Sequence, residues 1–167
     1  KPRGSIHFHV YETLDEHVAG LQDLVSAVDQ VPDTFLIIKY RPVHLSEHEL
    51  IALLPDSDRF CISVDEPFLD VLAFTDLLVS FASTTVEEAL QSRVPVLLYG
   101  GDGRYQHVTA APVTPDTPVE PGAVYTVRRA AHLADAIGRI LATNGRAPLP
   151  RELFQQYVFK EEEITPF

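Results

Sequence analysis

The sequence predicts an α/β domain: a doubly wound parallel sheet of about six strands in the order 3-2-1-4-5-6, with helices on both faces. Three observations predict it. Short β-branched or apolar runs alternate with segments in which apolar residues recur every three or four positions, so strand follows helix along most of the chain. Several of the strand-like runs are nearly continuous in apolar character, as a parallel sheet covered on both sides requires. Turn chemistry built from Pro, Gly, Asp and Asn separates one element from the next.

Residues 5–11 (SIHFHVY) alternate, and are rich enough in β-branched and aromatic side chains to form the first strand. Thr13 and Glu16 have capping-box spacing, and Leu14, Val18, Leu21, Leu24, Val25 and Val28 then recur at helical intervals. Pro32 and Asp33 turn the chain into a second strand, residues 34–40 (TFLIIKY), which Arg41 and Pro42 end. Ser46 and Glu49 repeat the capping-box spacing ahead of Leu50, Ile51, Leu53 and Leu54. A third strand covers residues 59–64, and Pro67 opens a short helix that runs to Phe74 with Phe68 and Leu69 in its core face. A fourth strand from Asp76 through Val79, a helix starting at Ser83, Thr84 and Thr85, and a fifth strand over residues 95–99 come next. Residues 100–121, with glycines early and Pro112, Pro115, Pro118 and Pro121 late, have no apolar period and read as a long surface loop. A sixth strand covers residues 123–127, and a helix over 128–143 carries Leu133, Ile137, Ile140 and Leu141 on one face before Asn144 and Gly145 close it. One more short helix, residues 152–159, precedes an acidic end at Glu161, Glu162 and Glu163.

Composition narrows the function. Lys and Arg number 13 against 24 Asp and Glu, a formal net charge of -11, which disfavours broad attraction to nucleic acid or to an anionic membrane. No apolar run approaches the ~20 residues that cross a bilayer, and no signal-peptide pattern opens the chain. The single cysteine, Cys61, excludes an internal disulfide and fits a reducing, cytoplasmic setting; its apolar neighbours predict a small buried residue. His7 and His9 share a face of the first strand, but no Asp, Glu or third His stands at ligand spacing, so no metal is expected. The chain contains no methionine and runs from Lys1, Pro2 and Arg3 almost directly into a strand, which predicts a domain excised from a longer protein.

The groups that carry chemistry cluster late. Glu12, Thr13, Leu14 and Asp15 follow the first strand where a glycine-rich fingerprint would signal a dinucleotide, and no Gly-Lys-Ser/Thr run marks an ATP phosphate loop, so no cofactor is expected. Any phosphate must then be held at a later helix. Ser83, Thr84 and Thr85 sit where the fourth strand meets the next helix, and unpaired amides at such a junction point into the crevice where open α/β sheets bind ligands. Simple helix capping explains the same residues equally well. Glu88 lies one turn further on, where a carboxylate accepts hydrogen bonds from two ribose hydroxyls; with Glu87 it also fits a solvated face.

The run DLLVSFASTTVEEAL over residues 76–90, continuing through Arg93, Val94, Pro95, Val96 and Leu97, resembles the donor-nucleotide signature in the C-terminal domain of GT-B glycosyltransferases. It is also similar to the corresponding stretch of UDP-N-acetylglucosamine 2-epimerases, although those carry paired glycines where this chain has Ser83 and Thr84. The order of elements is compatible from residue 5 to about residue 143, whereas the specific motif covers only about thirty residues. The resemblance implies that Ser83, Thr84 and Thr85 take the donor diphosphate and Glu88 the ribose. The turn at Val64 and Asp65 resembles the place where this superfamily holds the nucleobase by backbone groups. Lys39, Arg41 and His44 resemble the basic, proline-containing turn of bacterial surface-polysaccharide transferases, and Arg104, Gln106 and His107 resemble positions that reach the donor sugar or pyrophosphate.

On this resemblance, residues 1–147 form a Rossmann-like nucleotide-sugar-binding domain and residues 148–167 a C-terminal helix and acidic tail. The chain is then the donor half of a GT-B-type glycosyltransferase of bacterial surface or capsular polysaccharide synthesis. Its partners would be a nucleotide diphosphate sugar and an N-terminal domain of the same chain, with no nucleic acid and no transmembrane segment, and with peripheral membrane contact only through the full-length protein. Because the acceptor and general base of such enzymes lie on the other domain, this half alone is expected to bind donor without turnover. Two other readings stand beside it: a UDP-sugar 2-epimerase-like enzyme, and a non-catalytic doubly wound interaction or regulatory domain in which Ser83 only caps a helix.

Overall fold

The computed structural model describes residues 13–81, 84–100, 108–145 and 149–157. Helix α1 (Leu14–Val28) opens with the anticipated capping box: Glu16 N–H donates to Thr13 Oγ1 (3.2 Å), and Thr13 N–H donates to the Glu16 carboxylate (2.9 Å). Strand β1 (Leu36–Lys39) follows, then α2 (Glu47–Leu53), whose start repeats the same reciprocal pair between Ser46 and Glu49. The chain continues through β2 (Phe60–Ser63), α3 (Phe68–Leu72), β3 (Leu78–Ser80), α4 (Thr85–Gln91) and β4 (Val96–Tyr99). Strands β5 (Ala111–Pro112) and β6 (Val124–Val127) come next, then a 3-10 turn (Ala130–His132), α5 (Leu133–Asn144) and α6 (Glu152–Gln155).

The fold is α/β with parallel sheets, but the strands do not form one six-stranded sheet. Among the described residues there are two: β1 paired with β2, and a four-stranded sheet in the order β3-β4-β6-β5, every pair parallel. The expected first strand, residues 5–11, lies outside the described residues; among those described, a slot is lined by residues of β1 and β3 together with α1, α3 and α5. The pairings β1-β2, β3-β4 and β4-β6 join strands expected to be neighbours, whereas that of β5 with β6 was not expected.

Side chains alternate across β4, all four of whose residues are buried. Leu97 and Tyr99 join Tyr125 and Val127 of β6 beneath α1 and α5, against Leu21, Leu24, Val25, Leu133, Ile137 and Ile140. Val96 and Leu98 face the opposite way with Val124, against Val86, Ala89 and Leu90 of α4, Leu72 of α3 and Phe154 of α6. Helices therefore cover both faces of the larger sheet. Ile38 of β1 belongs to the first of these clusters, so α1 spans both sheets.

Three sequence expectations need correction. Residues 100–121 were expected to hold no regular element, yet Ala111 and Pro112 pair with β6, and Val113 N–H donates to the Thr126 carbonyl (2.8 Å). The edge position tolerates Pro112 because no partner there needs its missing N–H, and burial of Val113 drives the pairing. The Arg139 guanidinium then fastens the following loop, donating to the carbonyls of Thr114 (2.9 Å) and Thr117 and to Asp135 (2.9 Å). The helix expected from residue 128 begins at Leu133, because Arg129 is extended and a 3-10 turn intervenes. Cys61, expected to be buried, is exposed: it lies on an outer strand, beside the equally exposed Ile37, on the face turned away from α1.

Two local devices hold element ends. Arg59 donates to the carbonyls of Val31 (2.7 Å), Thr34 (2.8 Å) and Asp29 (3.2 Å), placing a cation at the negative end of α1 and closing the turn into β1. Helix α4 ends in a Schellman motif: Val94 N–H donates to the Ala89 carbonyl (2.9 Å) and Arg93 N–H to that of Leu90 (3.1 Å), with Arg93 at φ 60°. A left-handed conformation suits glycine better than arginine.

Arg59→Met, which keeps the aliphatic stem, is expected to lower stability by about 1–3 kcal/mol in urea unfolding, with Arg59→Lys recovering only part because an ammonium lacks the planar fork. Arg93→Gly should act in the other direction, raising stability by about 0.5–1 kcal/mol, since it relieves the left-handed strain at an exposed position.

Candidate functional site

Helix α1 gives the two sheets a common polarity. β1 starts after the C-terminal end of α1 and so runs back toward its beginning. Phe81 directly follows β3, and its ring meets His17 of the first turns of α1 (centroids 5.8 Å apart, 66°); β4 ends at Tyr99, whose hydroxyl donates to Asp23 Oδ2 of α1 (2.6 Å). The carboxyl ends of β1, β3 and β4 therefore share one edge, the edge at which open α/β sheets bind ligands.

Phe81 is central to this edge. It sits between α1 and the end of β4, 6.0 Å from the Tyr99 ring, where only glycines leave room: a Cβ on Gly20 would lie 2.6 Å from its ring and one on Gly100 2.5 Å. Gly100 also has φ 102°, a backbone that other residues rarely adopt, so the end of β4 is shaped by its glycine twice over.

The β3 to α4 junction carries the strongest sequence expectation. Thr84 precedes the helix with αR backbone angles, makes no side-chain cap and is exposed; its carbonyl accepts from Glu87 N–H (3.1 Å). Simple capping by Thr84 is thus not what the geometry shows. Thr85 is half-buried and lines the slot between the sheets. Glu88 is exposed, three positions beyond Thr85 and so on the same side of α4, but it does not line the slot. Ser83 lies outside the described residues, as do Arg104, Gln106 and His107.

After β1 and β2 the structure joins residues that the sequence assigned to separate tasks. Lys39 Nζ donates to the carbonyls of Val64 (2.5 Å) and Ser63 (3.2 Å), so the lysine expected to neutralise phosphate is bound to the turn expected to hold the base. Ser63 Oγ donates to Glu66 (2.6 Å); that bond, the Glu66 backbone amide and the nearby Lys39 charge hold the Glu66 carboxyl below the usual carboxylate range. Asp65 and Arg41 are exposed, as is His44. Phe68 packs half-buried against the α4 side of the core, whereas Leu69, expected beside it, is 58% exposed.

Sequence reasoning missed the Tyr99–Asp23 tie and the wedge of Phe81 between Gly20 and Gly100. No local signal marks them, since Asp23 and Tyr99 are 76 residues apart. Among the described residues no three His, Cys, Asp or Glu gather as a metal site, and His7 and His9 lie outside those residues. No described helix is long and apolar enough to cross a membrane. Compared with family models, curated proteins and solved structures, the chain finds no match.

Burial, with the bond to Asp23, raises the Tyr99 hydroxyl above its ordinary value. A raised folded-state value means that its contribution is whole below the unfolded pKa of about 10 and is lost as pH climbs beyond it. Tyr99→Phe should therefore be less stable than the parent at pH 7, by about 1 kcal/mol. That gap should narrow above about pH 10, as followed by urea unfolding across neutral to alkaline pH.

Proposed function

We propose that this chain is the donor-nucleotide half of a GT-B-type glycosyltransferase, one that adds a sugar to a bacterial surface or capsular polysaccharide. The observation that carries the reading is the junction of β3 and α4: Thr84 leaves the start of α4 without a side-chain cap, Thr85 borders the slot, and Glu88 stands exposed one turn on. In this reading the two sheets are halves of one doubly wound sheet whose order reverses at the slot, which is where such sheets take nucleotides.

The amides at the start of α4, with Thr84, Thr85 and the preceding Ser83, hold the donor diphosphate, and Glu88 accepts from the ribose hydroxyls. As the bond from sugar to phosphate breaks, negative charge grows on the leaving diphosphate, and fixed amides aimed at it stabilise that charge more than the ground state. Arg104, Gln106 and His107 reach the sugar or pyrophosphate. Val64 and Asp65 border the base. Lys39, two of whose donors already serve Ser63 and Val64, holds the base turn in place and has one donor left for phosphate. Arg41, exposed beyond β1, adds positive charge on the same side. The acceptor and general base come from an N-terminal domain of the full-length cytoplasmic protein, so this half binds donor and does not turn it over.

Titration calorimetry with UDP-, GDP-, CDP- and CMP-sugars is expected to show binding of one of them. Glu88→Ala should weaken that binding by roughly 10- to 100-fold, the effect of losing hydrogen bonds to a charged group, while leaving the melting temperature almost unchanged. Absence of heat from every donor at millimolar ligand would defeat the proposal. Conversion of a UDP-sugar by the full-length protein without an acceptor would move it to the epimerases.

A further inference from the structure

We propose that Asn144 is a modification site: its side-chain amide converts spontaneously to a carboxylate through the adjacent Gly145, and Tyr125 holds that conversion in check while the end of α5 stays closed.

One side of α5 clasps the loop that precedes β6. Arg139 donates to the carbonyls of Thr114 (2.9 Å) and Thr117, and Thr143 Oγ1, one turn on, donates to that of Val119 (3.3 Å). The last clasp passes through the buried Tyr125, whose hydroxyl oxygen lies 2.9 Å from the Glu120 carbonyl oxygen and 3.1 Å from the side-chain amide of Asn144. A phenol has one proton and cannot donate to two acceptors at once. With Asn144 Oδ1 toward the hydroxyl, that conflict stands and Nδ2 is a buried donor with no partner. The oxygen and nitrogen of an amide take interchangeable places, so the bonding decides between them. With Nδ2 toward Tyr125 the amide donates to the hydroxyl and the hydroxyl donates to Glu120. The carbonyl then left over is less costly than an orphaned N–H. Asn144 and the Gly122 backbone also hold the Tyr125 hydroxyl down against the burial that pushes it up, as groups donating to it do.

This clasp fixes the one residue of the helix that glycine follows. Gly145 has φ 64° and ψ -168°, a backbone essentially reserved for glycine, and its nitrogen carries no side chain beside it to hinder attack. In the closed helix neither reacting group is free. Gly145 N–H donates to the Leu141 carbonyl (3.0 Å), and the Asn144 amide is bound to Tyr125. Terminal turns are the first part of a helix to open. Once this one does, the Gly145 nitrogen attacks Asn144 Cγ; the new C–N bond forms, the bond from Cγ to Nδ2 breaks, and Nδ2 leaves as ammonia with the proton that Gly145 gives up. Water then opens the cyclic imide at either carbonyl, leaving aspartate or isoaspartate. An ionised carboxylate accepts and cannot donate, so Tyr125 again faces two acceptors with one proton. Isoaspartate also lengthens the backbone by a carbon, which spoils the bond to Leu141. The Glu120 end of the clasp therefore recloses poorly after the change.

Incubation of the full chain in mildly alkaline buffer, followed by peptide mass mapping that separates aspartate from isoaspartate, tests the proposal. Conversion at Asn144 should be at least about tenfold slower in the folded parent than in the same chain unfolded in urea. Tyr125→Phe, which keeps the buried ring, should speed conversion of the folded chain about fivefold, the effect of one lost hydrogen bond on the opening equilibrium, and should leave the rate in urea unchanged. Tyr99→Phe, which loses a hydrogen bond elsewhere, should not speed it. Equal rates in the folded and unfolded parent would overturn the inference, as would a folded Tyr125→Phe chain that converts no faster than the parent. Equal acceleration by Tyr99→Phe would overturn it too, because conversion would then follow global unfolding and not the end of α5.

Discussion

A single helix holds this molecule's two sheets in one frame. The apolar stripe of α1, with Leu21, Leu24 and Val25, packs in one cluster with Ile38 of β1 and with Leu97 and Tyr99 of β4. Each fully buried aliphatic side chain there contributes about 1.5–3 kcal/mol relative to exposure. The stripe is continuous because its spacing follows the helical period, so α1 cannot loosen from one sheet without opening the core of the other. The ends of α1 are fixed as well, by the Thr13–Glu16 box at its start and the Arg59 guanidinium at its finish. The orientation of every strand that runs beneath it follows from those anchors.

That frame explains the specific contacts at the carboxyl edge. Phe81 fits only because Gly20 and Gly100 lack side chains, and Tyr99 is bound to Asp23. These contacts tie the ends of β3 and β4 to α1. If the proposed donor is bound at the start of α4, such ties would serve it, because a binding site of that kind tolerates little displacement.

The parts of the fold that were legible in the sequence are the local ones. Thr13 with Glu16 and Ser46 with Glu49 sit three residues apart, and their reciprocal bonds follow from spacing alone. The strands β1, β2, β3, β4 and β6 announce themselves as apolar runs, with ends within two residues of expectation. Long-range relations were not legible. The bond from Tyr99 to Asp23 joins residues 76 apart, Arg59 reaches back 28 residues to Val31, and Lys39 crosses 25 to Val64. Ala111 and Pro112 carry a residue that normally argues against a strand, and only the neighbouring β6 makes them one. Cys61 misled because apolar neighbours reveal that a residue is in a strand, not which face of the sheet remains uncovered.

The electrostatic side of the candidate site reduces to which positive groups are free to act on a phosphate. The chain carries a net charge of -11, so long-range attraction works against an anionic ligand and the attraction must be local. Lys39 is the obvious cation, yet its ammonium already serves two carbonyls and lies near the ionised Glu66, which cancels part of its field. At ~4 Å a unit charge is worth about 1 kcal/mol in bulk water and about 4 kcal/mol near a protein surface, so a lysine held back by a carboxylate adds little. Backbone amides at the start of α4 are different: they carry no net charge to be cancelled, need no reorientation, and act over the first turn only. A diphosphate bound by this edge would therefore depend on α4 for position and on Glu88 for selectivity toward a ribose. The cluster of Lys39, Ser63 and Glu66 would serve instead to keep the Val64 turn rigid.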